Sequence, residues 1–155
     1  MEQPPSGNGL TPATYHRGRN RVSGAVAGAA VAVAIVAAFL RWKPFRVEVE
    51  GASMVPTLLP GDWALAVGTR RLRRGDVVVV EHPGRPGYEM VKRLTGVPRD
   101  RLGSDGRVLG DDEWWVEGDH EPGSTDSRHF GPVSREELKA KVLLVYWPSE
   151  RRRLL

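Results

Sequence analysis

The chain has 155 residues, 40% hydrophobic and 27% charged, and no cysteine, so disulfides, thiolate metal sites and a cysteine nucleophile are excluded. Its formal charge of +4 is unevenly spread: residues 1–46 carry six Arg/Lys and one acid, whereas 47–155 carry 17 Arg/Lys and 18 acids. The basic excess therefore brackets one apolar stretch instead of coating a domain, which points to a lipid bilayer and away from nucleic acid.

Residues 1–21 are rich in Pro, Gly, Ser, Thr and Asn and read as a disordered tail. Val22–Leu40 follows without a single charged residue. As a helix its 19 residues reach roughly 28 Å, close to the thickness of a hydrocarbon core, which predicts one N-terminal transmembrane helix. The stretch is longer than a signal-peptide core and runs into Arg41-Trp42-Lys43 instead of a small-residue cleavage site, so an uncleaved anchor is the expectation. Arg17, Arg19 and Arg21 precede it and Arg41, Lys43 and Arg46 follow it, a near tie under the positive-inside rule.

Residues 46–148 form the remaining domain, enough for one small core. Phe45–Val49 alternates and reads as a strand. Further strands are expected at Trp63–Val67, Asp76–Glu81, Tyr88–Leu94, Arg107–Leu109, Trp114–Val116 and Val142–Tyr146, with Gly61-Asp62 and Gly75-Asp76 as turns. Only Ser134–Lys141 reads as helical, on the capping-box spacing of Ser134 and Glu137. The expected fold class is a compact, mostly β domain with one short helix, preceded by the membrane helix. Arg70, Arg71, Arg73 and Arg74 read as a solvated loop, and 149–155, with Arg151-Arg152-Arg153, as a basic tail.

Two residues stand out chemically. Ser53 lies in Gly51-Ala52-Ser53-Met54-Val55-Pro56, which Pro56 and Pro60 keep out of a helix. Lys92 follows 39 residues later, and strand alternation places it on one face with Met90 and Leu94. A serine hydroxyl needs a base, and lysine serves only when burial lowers its pKa enough to leave it neutral. On residue pattern alone, a turn serine and a snorkelling lysine remain the commoner outcome. A Ser/His/Asp triad drawn from His82, His120 or His129 lacks the G-x-S-x-G elbow, and no H-x-x-x-H or H-x-x-E-H spacing offers a metal site.

Four segments nevertheless resemble, in order, the sequence boxes of type I signal peptidases: Gly51–Leu58 with Pro60-Gly61-Asp62; Arg74–Val79; Val91–Asp100; and Gly118-Asp119-His120 through Ser124–Val133. The resemblance implies a signal-peptidase-like catalytic domain without a cofactor, in which Ser53 is the acylating nucleophile and Lys92 its general base. It makes Ser124 the serine whose hydroxyl orients that lysine, and Asp126 and Arg128 an ion pair beside the site. Met54, Val55 and Leu58, with Trp63, are candidates for the substrate pockets. The implied partners are exported precursor proteins whose leaders carry small residues before the cut, and the implied place is a single-pass position in the cell membrane with the catalytic domain on the extracytoplasmic side. The chain departs from the pattern in three places: Gly51 stands where some relatives have a hydroxyl donor, Arg99 where glycine is frequent and His120 where asparagine is usual. Only 25 residues separate Lys92 from Gly118, too few for the inserted subdomain of larger relatives.

Two other functions fit. Trp114–Asp119 and Tyr146-Trp147-Pro148 resemble the proteases that mature nickel-containing superoxide dismutase, which would mean one dedicated substrate. A membrane-tethered β module that binds peptides without cutting them is the reading from another class, and the joint presence of Ser53 and Lys92 counts against it.

Overall fold

The computed structural model describes residues 22–103 and 106–155, with side chains of the first helix described over 27–37. The chain divides into two compact units at the Val36/Ala37 boundary. The expected tail at 1–21 lies outside the described residues. A helix, α1, runs from Val22 to Trp42 across the expected span. Among the described residues, no helix is long and apolar enough to cross a membrane. Part of the expected span, 22–26 and 38–40, has side chains outside the described set.

The second unit is built on an antiparallel seven-stranded sheet. Its strands are β1 (Phe45–Glu48), β2 (Trp63–Val67), β3 (Val77–Glu81), β4 (Glu89–Gly96), β5 (Trp115–Glu117), β6 (Leu138–Trp147) and β7 (Arg153–Leu154), in the order β1-β2-β6-β3-β4-β5, with β7 also paired to β6. The four-valine run of β3 explains the layering. Val77 and Val79 join one apolar cluster with Met54, Leu58, Ala64, Ala66, Ala140 and Val142, while Val78 and Val80 join another with Met90, Leu94, Val116 and Leu138. Both faces of β3 are buried, which is why its sequence is continuously apolar instead of alternating.

Three expectations are corrected. Ser134–Lys141 is not helical: residues 135–137 form a turn and β6 starts at Leu138. The capping-type bond does form, Ser134 N–H donating to Glu137 Oε2 at 2.6 Å, but Leu138, Ala140 and Val142 alternate into the core and sheet pairing prevails. Arg107–Leu109 contributes an isolated bridge, Val108 to Arg101, and no strand. The expected basic tail is folded in: Ser149–Arg151 makes a 3₁₀ turn, β7 pairs with Leu144 and Val145, and Leu155 packs on the first cluster. Among the described residues the short α-helix of this unit is α2 (Ser127–Phe130), with Asp126 as its N-cap.

Candidate active site

The nucleophile segment is a loop between β1 and β2 with a closed neck. Val49 N–H donates to Asp62 O at 2.9 Å and Gly61 N–H to Val49 O at 2.8 Å. Asp62, buried, accepts from Leu59 N–H at 2.8 Å and from Arg151 Nε at 2.7 Å. Below the neck, Met54 and Leu58 drop into the first apolar cluster and anchor the loop from beneath. Ser53 is thereby held half-exposed at the loop's crest, and His120 N–H donates to its carbonyl at 2.9 Å.

Lys92 reaches this crest from the middle of β4, where Val78 of β3 is its cross-strand neighbour. Its Nζ donates to Ser53 Oγ at 2.8 Å, and the residue is only 4% exposed. Burial pushes the Lys92 pKa down; the nearby Asp126 carboxylate pulls it back up and the Arg128 guanidinium pushes it down again, leaving it below the ordinary lysine value. The ammonium is thus biased toward the neutral amine that a general base requires.

Asp126 organises the far wall. Fully buried, its carboxylate accepts from Gly118 N–H at 2.9 Å, Ser124 Oγ at 2.6 Å and the Arg128 guanidinium at 2.6 and 3.0 Å. Burial alone pushes its pKa up, but these donors together hold it far below the usual carboxylate range. The Ser124 hydroxyl therefore donates its hydrogen bond to Asp126, and among the described residues it makes none to the Lys92 amine. Gly118 is where the wall meets the nucleophile: a Cβ there would collide with Ser124 Oγ and lie 2.6 Å from Ser53 O.

A second ion pair braces the loop. Arg93, next to Lys92 but facing the other way, grips both Asp119 oxygens at 2.7 Å and donates to Thr57 Oγ1 at 3.0 Å and Gly75 O at 2.8 Å. One guanidinium thus ties the nucleophile loop, the turn before β3 and the segment after β5.

A groove of about 560 Å³ runs over the dyad, lined on one side by β1 and the start of the loop and on the other by Tyr88–Lys92. Of the proposed pocket residues, Met54 lines this groove, whereas Val55 and Leu58 do not; Leu58 is entirely buried in the core. Trp63 lies outside it, with Arg46 stacked 6.0 Å above its ring. Among the described residues no His/Asp/Glu group is arranged to hold a metal ion.

The profile of the family described as signal peptidase, peptidase S26, matches residues 20–110 and 103–147. The chain belongs to this family. Among its relatives, the mitochondrial ATP-independent inner membrane protease subunit 1a of Arabidopsis thaliana is 39% identical over 140 residues, 76% of this chain and 83% of the relative. Mitochondrial inner membrane protease subunit 2 of Danio rerio is 34% identical over 148 residues, 86% and 81% of the two chains, and that of Homo sapiens is 36% identical over 135 residues, 78% and 77%. As a member of this family, the chain presents the two boxes around Ser53 and Lys92 within one groove. The structure brings Asp126 and Arg128 together, their side chains meeting at 2.6 Å. Three features are not legible in residue pattern: the Asp126 carboxylate that accepts the Ser124 hydrogen bond, the tight fit at Gly118 and the Arg93 brace; the adjacent Gly118-Asp119 is the available signal for the last two.

Proposed function

We propose that the chain is a serine endopeptidase that removes N-terminal leader peptides from precursor proteins through a Ser53/Lys92 dyad. The observation that carries this reading is the 2.8 Å contact between Ser53 Oγ and the Nζ of a buried, pKa-lowered lysine inside an open groove. Neutral Lys92 takes the Ser53 proton as Oγ attacks the scissile carbonyl, and the ammonium then protonates the leaving amine. Water, deprotonated by the same amine, releases the acyl group from Ser53. Among the described residues the Ser53 N–H has no acceptor, which suits it to the developing oxyanion; Gly51 adds no side-chain donor. An extended leader fits between β1 and Tyr88–Lys92, and the apolar floor at Met54 and Val79 suits small side chains next to the cut. Ser124 acts on Lys92 through Asp126, which sets the charge felt by the amine.

Membrane attachment is part of the proposal. It rests on the uncharged sequence of Val22–Leu40 and on the inner membrane named in the relatives' descriptions. The catalytic unit is assigned to the extracytoplasmic side. Ser53→Ala and Lys92→Ala should each cut precursor cleavage by roughly 10⁴-fold or more while the protein stays folded. Full activity in either variant sinks the dyad. Proteomics after depletion separates a general signal peptidase, with many uncut precursors, from a dedicated maturation protease with one.

A further inference from the structure

A second cavity, of about 840 Å³, opens at the end of β2 and the beginning of β6 and shares no lining residue with the groove over Ser53 and Lys92. Its charged wall consists of Arg70, Arg71, Arg135, Lys139 and Lys141, and no carboxylate lines it. Two of these cations are neutralised by the acids that bracket β3: Lys139 pairs with Glu81 at 2.7 Å and Lys141 with Asp76 at 2.6 Å. Among the described residues the other three have no carboxylate partner for their side chains. Asp112 approaches Arg135 but accepts from its backbone N–H, at 3.1 Å. The Arg135 guanidinium instead donates to Thr69 O at 2.6 Å and Leu138 O at 2.7 Å. Two carbonyls thus fix the planar fork without cancelling its charge. The loop that carries Arg70 and Arg71 is itself turned by Arg71 N–H donating to Thr69 Oγ1 at 3.1 Å.

Three uncompensated guanidinium groups around one concavity repel one another, and an anion relieves that repulsion. A guanidinium offers paired N–H donors matched to two phosphate oxygens. We propose that this cavity binds a phosphate-bearing anion, supplied by an acidic phospholipid headgroup or by soluble phosphate. The run Arg70–Arg74, which reads in sequence as solvated charge, then contributes Arg70 and Arg71 to a site.

The test uses the full chain in neutral detergent micelles, with amide NMR signals followed during titration by inorganic phosphate, dioctanoyl phosphatidylglycerol or dioctanoyl phosphatidylcholine. Saturable shifts confined to Gly68–Arg71 and Arg135–Lys141 are expected with at least one of the first two probes and not with phosphatidylcholine. A response to phosphate shows that the phosphate group suffices; a response to phosphatidylglycerol alone assigns the site to a lipid headgroup. Arg70→Glu/Arg71→Glu should weaken binding about tenfold or more and leave cleavage of a soluble leader peptide within about twofold. Arg85→Glu/Arg152→Glu makes the same charge change outside the cavity and should leave binding unchanged. The site is overturned if neither anion gives saturable shifts, if phosphatidylcholine matches phosphatidylglycerol, or if the control variant loses as much affinity as the cavity variant.

Discussion

Residue by residue, the dyad depends on how burial and two opposite charges are balanced around one amine. Lys92 acts only when unprotonated, so the rate rises as pH climbs through its lowered pKa. Replacing Arg128 by Met removes a cation that pushes that pKa down and leaves the Asp126 charge, still held by Gly118 N–H and the Ser124 hydroxyl, facing the amine alone. Both effects favour the ammonium, so the acid limb of kcat/KM should move to higher pH and activity at neutral pH should drop severalfold. An acid limb that stays put or moves down would rule out electrostatic tuning by this pair. The same variant should lose about 1–3 kcal/mol of stability, because it leaves a buried carboxylate without its cation. Asp126 has a depressed folded pKa, so its stabilising effect is complete above the unfolded value of about 4 and is lost as acid approaches the folded value. Wild type should therefore lose stability more steeply than Arg128→Met in strong acid. Arg99 is a different kind of residue: its φ of +70° lies in the left-handed region, and among the described residues its side chain pairs only with the exposed Asp111. Arg99→Gly relieves that backbone and gives up a weak surface pair, while adding chain entropy to the unfolded state. It should raise stability by up to about 1 kcal/mol in urea titration with cleavage unchanged; a loss of stability would mean that the Asp111 pair outweighs the strain.

Among the elements, β6 shows where sequence pattern and structure part. Ser134 and Glu137 carry a helix-start signature, and the local hydrogen bond it encodes is made. The following residues also alternate, and a strand that pairs with β2, β3 and β7 buries that alternation better than a short helix does. The β2 and β3 partners lie far away in sequence, so no local pattern could reveal them. The C-terminal residues depart from their local pattern for the same reason: Arg151-Arg152-Arg153 has the composition of a tail, but Arg151 meets Asp62, 89 residues earlier. That contact gives the segment a functional consequence, because Asp62 closes the neck of the nucleophile loop through Leu59 N–H and its own carbonyl. Deleting 149–155 strips a buried carboxylate of its cation and removes β7. With Arg151 itself 36% exposed, the loss is discounted for solvent screening. Melting should fall by roughly 5–10 °C and kcat/KM by severalfold as the loop loosens. An unchanged melting curve would mean that the neck holds without its arginine.

For the whole molecule, the site was more legible than the fold that carries it. Ser53, Lys92, Asp126 and Arg128 belong to short ordered motifs, and motif order survives changes in loop length. The close contact of Gly118 with Ser53 O and the convergence of Arg93 on three segments depend on strand order, which the motifs do not encode. The two-unit division has its own consequence. Ala37–Leu155 contains the sheet, both apolar clusters, the dyad, Asp126 with its donors and the Arg93 brace. None of the hydrogen bonds described for the site involves a residue before Ala37. A fragment beginning at Ala37 should therefore fold, give a β-rich circular dichroism spectrum and cleave a soluble leader peptide with kcat/KM within about tenfold of the full chain, since the dyad, its supporting groups and the groove over them all lie within it. The full chain should float with phospholipid vesicles in a density gradient, whereas the fragment should lose most of that flotation. A folded but inactive fragment would mean that the first unit completes the active site, and undiminished flotation would place the main membrane contact in the catalytic unit instead of in α1.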